Sequence, residues 1–126
     1  MAINYVLVER GNPQKPEEPK KFYAQAKSTG SVTLKELGKE ITQRSTVNHA
    51  DTLAVLEALT QVLADNLSAG KIVRLGDFGT FQIAITSDGA ETEKEFTSNL
   101  VKNPKVAFRA GNDLKDMLKV LKYEKG

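Results

Sequence analysis

The chain of 126 residues contains no cysteine. That absence excludes a disulfide framework, a thiolate zinc site and a cysteine nucleophile together. It has a single histidine, His49, beside the candidate helix cap Asn48, and no hydroxyl or carboxylate forms a recognisable triad with it. His49 is therefore read as an exposed first-turn residue. No apolar run approaches the roughly 20 residues that a membrane helix needs. Residues 1–10 lack the basic-then-apolar order of a signal peptide, because Asn4 and Glu9 interrupt the short apolar stretch. Gly76 and Gly79 do not make a phosphate-binding loop, since no helix pattern follows them. An excess of one charge is missing too: 18 Lys and Arg against 16 Asp and Glu leave +2, which argues against a uniformly basic nucleic-acid clamp. The expectations are one compact domain in the cytoplasm, with no enzymatic activity, cofactor, metal, membrane contact or small-molecule substrate.

The composition, 27% charged and 40% hydrophobic, is that of a globular chain rather than a disordered one. The charge is placed unevenly. Residues 1–30 carry net +2, residues 31–85 and 86–105 carry −1 each, and residues 106–126 carry +2. An anion-binding surface would have to be assembled from the two ends, with Lys71, Arg74, Lys102 and Lys105 added from between.

Residues 3–8 are rich in β-branched and aromatic types and read as a strand. Residues 11–20 hold three of the four prolines and continue neither helix nor strand. Phe22 to Ala26 reads as a second strand, so residues 1–31 read as a hairpin-like extension with a long polar tip, a flexible arm being the alternative. Thr33 and Glu36 match a capping box, and Leu34, Leu37 and Ile41 then share a helical face. Asn48 is a second cap with Asp51 in the first turn. Leu53, Leu56, Leu59 or Thr60, Leu63 and Leu67 make one stripe, which Val55, Ala58 and Val62 widen beyond what one partner element covers. That surplus implies a subunit interface. Gly70 ends the helix. Ile72 to Leu75 reads as a short strand, and Phe81, Ile83 and Ile85 alternate with polar or small residues as a half-buried strand. Residues 86–99 are polar, Lys105 to Arg109 alternates again, and a last helix places Leu114, Met117, Leu118 and Leu121 at helical spacing.

Two segments carry a family resemblance. Ile72-Val73-Arg74-Leu75-Gly76-Asp77-Phe78-Gly79-Thr80-Phe81 and Val106-Ala107-Phe108-Arg109-Ala110-Gly111-Asn112-Asp113-Leu114-Lys115 resemble the strand-turn-strand and the start of the closing helix in the HU/IHF family of bacterial DNA-bending proteins. The similarity spans about Val32 to Lys122 and includes the order of helices and strands. The N-terminal hairpin resembles that of extended HU-like proteins of the Bacteroidetes type. The resemblance implies an α+β fold: an intertwined dimer with two N-terminal helices, an antiparallel sheet with a β-arm, and a C-terminal helix over residues 32–126. It also implies sequence-independent, nucleoid-associated, histone-like binding of double-stranded DNA by a homodimer, with DNA condensation and bending.

The departures from the family are as informative. Its arm tip carries an Arg-Asn-Pro sequence whose basic residues line the minor groove and whose proline wedges between base pairs. Here Thr86 to Glu95 holds four acids against one lysine, and Asn103-Pro104 lies at the arm base. An acidic ribbon releases no counterions from DNA, so weak, non-specific binding with a shallow salt dependence is expected. Glu91, Glu93 and Glu95 alternate and would share a face on a strand; a solvated arm is the better reading than a loose cation site. Lys71, Arg74, Lys102, Lys105, Arg109 and Lys115 are the candidate phosphate contacts, an ordinary solvated surface being the alternative. Arg10-Gly11-Asn12-Pro13-Gln14-Lys15 is close in composition to the missing arm tip. It makes Arg10, Asn12, Pro13 and Lys15 further candidates, Arg10 and Lys15 with Lys20 and Lys21 as phosphate contacts and Pro13 as a wedge, against the plain reading of a turn. Leu53, Leu56, Leu59, Leu63, Phe78, Phe81 and Phe108 are candidates for the dimer interface, the three phenylalanines as core. The rival function is an HU-fold structural or protein-interaction module that has lost DNA binding.

Overall fold

A computed structural model describes residues 1–126. The element order is β1 (Ile3–Arg10), β2 (Lys21–Lys27), α1 (Leu34–Arg44), α2 (His49–Ser68), β3 (Val73–Leu75), β4 (Gly79–Ser87), β5 (Val101–Ala110), α3 (Asn112–Lys119) and β6 (Tyr123–Lys125), with two 3-10 turns between β4 and β5. The elements form two compact units, Met1–Thr33 with Met117–Gly126, and Leu34–Asp116. The sequence division into 1–31 and 32–126 follows chain order; the spatial grouping instead returns the last ten residues to the N-terminal strands.

In the first unit β1 pairs antiparallel with β2 from Asn4↔Lys27 to Arg10↔Lys21. The proline-rich connection turns twice. Lys15 N donates to Asn12 O (3.0 Å) and Glu18 N donates to Lys15 O (3.1 Å), while Asn12 Oδ1 accepts from Gln14 N at 3.0 Å. The other edge of β1 takes β6 in parallel, Ile3↔Tyr123 to Tyr5↔Lys125. This corrects the reading of Leu121 as part of the last helix. That helix ends at Lys119, and the chain turns so that Lys122 O accepts from Ile3 N (2.7 Å) and Gly126 N donates to Tyr5 O (2.9 Å). A free strand edge recruits the tail, and a helical pattern of leucines does not compete with that ladder.

In the second unit α1 follows Thr33 directly, as the capping-box pattern predicts. Its seam with α2 is not the Leu34, Leu37 and Ile41 face. Gly38 is the buried residue of α1, and Leu53 Cδ2 lies 3.0 Å from where a Cβ on Gly38 would stand. The seam therefore runs through Leu34, Gly38 and Thr42, and Leu37 and Ile41 remain open to solvent. Asn48 caps α2 as predicted: its Oδ1 accepts from Asp51 N at 2.9 Å and its Nδ2 donates to Asp51 Oδ2 at 3.0 Å. The far end closes at Ala69 and Gly70, the latter at φ 82°, with Gly70 N donating to Leu67 O at 3.0 Å. His49, the first residue of α2, is half-buried rather than exposed, and its Nδ1 is out of solvent without a hydrogen-bond partner.

The second sheet has the order β3-β4-β5, antiparallel throughout. It packs with no spare room at two glycines. A Cβ on Gly79 would lie 2.5 Å from the Phe108 ring, and one on Gly111 would overlap the Asp77 carbonyl. Gly111 N donates to Phe78 O (2.8 Å) and Asp113 N donates to Asp77 O (3.0 Å), so the β3–β4 turn and the start of α3 are stitched together by backbone. Yet a single chain buries no apolar side chain anywhere; the one buried polar residue is Thr52.

Candidate nucleic-acid interface

Strand register sorts the sheet of the second unit into two unlike faces, because residues paired across antiparallel strands share a face and the face alternates every residue. Arg74 pairs with Thr80 and Thr80 with Arg109, so one row across three strands holds two guanidinium groups around a hydroxyl. Gln82↔Ala107 and Ala84↔Lys105 follow on the same face. The opposite face carries Val73 and Phe81, then Phe108, Ile83 and Val106. A groove of about 440 Å³ runs over the Arg74–Thr80–Arg109 row, with Gln82 along its lining.

The next pair along the strands is Thr86↔Lys102, not Thr86↔Asn103, because the register shifts by one between Ala84 and Thr86. β5 has one residue more than β4 over this step, and Asn103 takes φ 56° to absorb it. Thr86 holds the bulge: its hydroxyl donates to Lys102 O at 3.2 Å and accepts from Asn103 Nδ2 at 3.0 Å. Without the extra residue Lys102 would fall on the apolar face. With it, Arg74, Arg109, Lys105 and Lys102 all share one side of the sheet. Arg74, Lys105 and Arg109 have no carboxylate within ion-pair distance. Lys102 is held by Asp88 at 2.6 Å, a half-exposed pair.

Beyond this point no ribbon forms. Asp88 N donates to Leu100 O at 2.9 Å, and residues 88–100 close through 3-10 turns at Glu93–Glu95 and Ser98–Leu100. The Thr92 hydroxyl accepts from Glu95 N at 3.3 Å. Glu91, Glu93 and Glu95 thus lie on a folded loop instead of one strand face, because Thr92 caps a turn where alternation alone suggested extended chain. No three acidic or imidazole groups converge there as metal ligands do.

Of the other sequence candidates, Lys71 follows the end of α2 and Lys115 lies in α3, both exposed. Arg10, Asn12, Pro13 and Lys15 belong to the first unit. Asn12 and Pro13 build its turn, and Lys15 pairs with Glu18 at 3.6 Å. Sequence reasoning missed Thr80, Gln82 and Thr86, which complete the polar face. Asn103-Pro104 inside a strand pattern was the available signal, since proline in a strand marks a bulge or an edge.

The apolar candidates divide in two. Leu53 and Leu56 pack on Gly38 of the same chain. Val55 and Val62, one helical step round, are 64% and 54% exposed, and Leu59 40%. Phe108 packs between Phe81 (centroids 4.7 Å, rings tilted 46°) and Phe78 (5.8 Å, 51°). The cluster is not a closed core in one chain, for Phe78 and Phe108 stay about half exposed.

Comparison with known proteins finds matching relatives. The HU-HIG family, described as an HU domain fused to wHTH, Ig, or Glycine-rich motif, matches residues 1–125. DNA-binding protein HU-1 of Halalkalibacterium halodurans is 31% identical over 88 residues, which is 67% of this chain and 96% of that protein. Among solved structures, one from Bacteroides vulgatus, assigned there to bacterial DNA binding, superposes with a TM-score of 0.66 at 15% identity. It matches 98% of this chain, which spans about half (47%) of that longer one. The Anabaena HU–DNA cocrystal structure superposes with a TM-score of 0.56 at 21% identity over 71% of this chain and 99% of that one. The two structures agree with the α+β arrangement of three helices and antiparallel sheets.

Proposed function

The chain belongs to the HU-HIG family, and from that premise we propose that it is a nucleoid-associated protein that binds double-stranded DNA without reading its sequence. In this reading residues 32–126 are the DNA-binding domain and residues 1–31 its extension. The observation that carries the reading is the cationic sheet face, where Arg74, Arg109 and Lys105 lie unpaired and in register, with Lys102 beside them. Guanidinium and ammonium groups on a rigid sheet contact phosphates, which position a duplex without specifying bases. Lys71 and Lys115 are peripheral contacts in the same reading.

The working form is a homodimer. A chain that buries no apolar side chain lacks the core that a folded domain requires. The outward stripe of α2 and the open Phe78–Phe108 cluster supply self-complementary surface for a two-fold partner. Leu59, Leu63 and Phe81 extend that surface. Two copies bring six unpaired sheet cations to one duplex, for a salt slope of about −5 when all six engage. The acidic 88–100 loop adds none. Affinity is therefore modest, and it is greater for DNA that bends at low cost.

Titration of the purified protein against linear and nicked duplex by fluorescence anisotropy tests this. Binding at low salt that weakens with added salt at a slope no steeper than about −5, and is tighter for the nicked duplex, is expected. No binding at low salt refutes it. One observation favours a second reading, an interaction module without DNA binding: Asp88, at the start of the acidic loop, occupies Lys102. In that case the same titration gives no signal while the dimer persists.

A further inference from the structure

The hairpin of the first unit carries a cation cluster that its own strands leave unanswered. The three prolines of residues 11–20 end the ladder, so its last pair is Arg10↔Lys21. Two like charges directly opposite destabilise an antiparallel pair. No carboxylate relieves them. Glu9 pairs with Phe22 and so projects from the other face, Glu18 is taken by Lys15, and no acid stands within ion-pair distance of Arg10, Lys20 or Lys21. Lys20 lies along Gly11, its Cγ 3.5 Å from where a Cβ would be, an ordinary packing distance. It adds a third cation to the same end. Tyr23, two residues beyond Lys21 on the same face, is exposed and offers a phenolic donor.

From this arrangement we infer that the end of the hairpin, Arg10 with Lys21 and Lys20, is a second phosphate-contacting surface, and that its ligand is the DNA sugar-phosphate backbone. An anionic oxygen seated between Arg10 and Lys21 turns their mutual repulsion into two charge-assisted contacts. Because Lys20 lengthens the cluster along the chain, successive phosphates suit it better than one small anion. Asn12 and Pro13 shape the turn that joins the two strands. The inference rests on the DNA-binding reading above and assigns it contacts outside the HU-like domain.

The test compares wild type, R10A/K21A, K27E and R74A/R109A by anisotropy on a ~30-base-pair duplex between ~50 and ~200 mM salt. Lys27 lies at the other end of the hairpin, opposite Asn4, and K27E changes net charge by the same two units as R10A/K21A. R10A/K21A is expected to reduce the salt slope by about 2 and affinity roughly 30-fold at ~0.15 M salt for each hairpin engaged. K27E leaves the slope as in wild type. The thermal midpoint of R10A/K21A is expected to be unchanged or higher, since a repulsion is removed. An unchanged slope for R10A/K21A, or an equal loss with K27E, overturns the hairpin surface; if R74A/R109A still weakens binding, the sheet reading survives. Absence of wild-type binding at low salt overturns both.

Discussion

Replacing Val55 and Val62 by aspartate tests the dimer at the stripe of α2 that no element of its own chain covers. The two side chains are 64% and 54% exposed in one copy. Full burial of an aliphatic side chain contributes about 1.5–3 kcal/mol, so covering the exposed part of each valine contributes about 1 kcal/mol. A two-fold interface counts every residue twice, which puts about 4 kcal/mol in these valines. Aspartate forfeits that and adds the cost of desolvating a carboxylate. The dimer dissociation constant of V55D/V62D should therefore rise at least about a thousandfold. Sedimentation equilibrium should give the wild type twice 13.8 kDa, about 27.6 kDa, and the variant the mass of one chain. Since one chain buries no apolar side chain, helical circular dichroism should fall as the dimer is lost. A wild-type mass of one chain, or a variant that keeps the dimer mass with its helicity intact, would refute the reasoning.

Three further outcomes are expected. Asp88→Asn frees Lys102 from its 2.6 Å partner and should tighten DNA binding, steepening the salt slope by up to about 1 per copy in an anisotropy titration. Gly79→Ala and Gly111→Ala each force a Cβ into occupied space, against the Phe108 ring and the Asp77 carbonyl; urea unfolding should show losses of about 1–3 kcal/mol, unlike a surface glycine such as Gly89. Asn48→Ala removes the acceptor for Asp51 N and should cost about 1 kcal/mol in the same assay, with Asn48→Ser recovering most of it.

The sequence by itself determined whatever is settled within a few residues. Asn48 caps α2 because its side chain reaches a backbone N–H three positions on, and Gly70 ends that helix because a positive φ suits it. The proline-rich stretch separates β1 from β2 for want of backbone donors, and alternation across 80–85 sets the two faces of β4. The surplus of Val55 and Val62 on α2 was also legible, since counting apolar positions on one helix needs no partner. Tertiary structure decided what depends on residues far apart in the chain. β6 exists only because β1 has a free edge. The seam of α1 lies at Gly38 because Leu53 needs the space a larger side chain would fill. Lys102 joins Arg74, Lys105 and Arg109 only through a one-residue slip at Asn103. The pairing of Arg10 with Lys21 depends likewise on register, which two strands fix jointly and neither fixes alone.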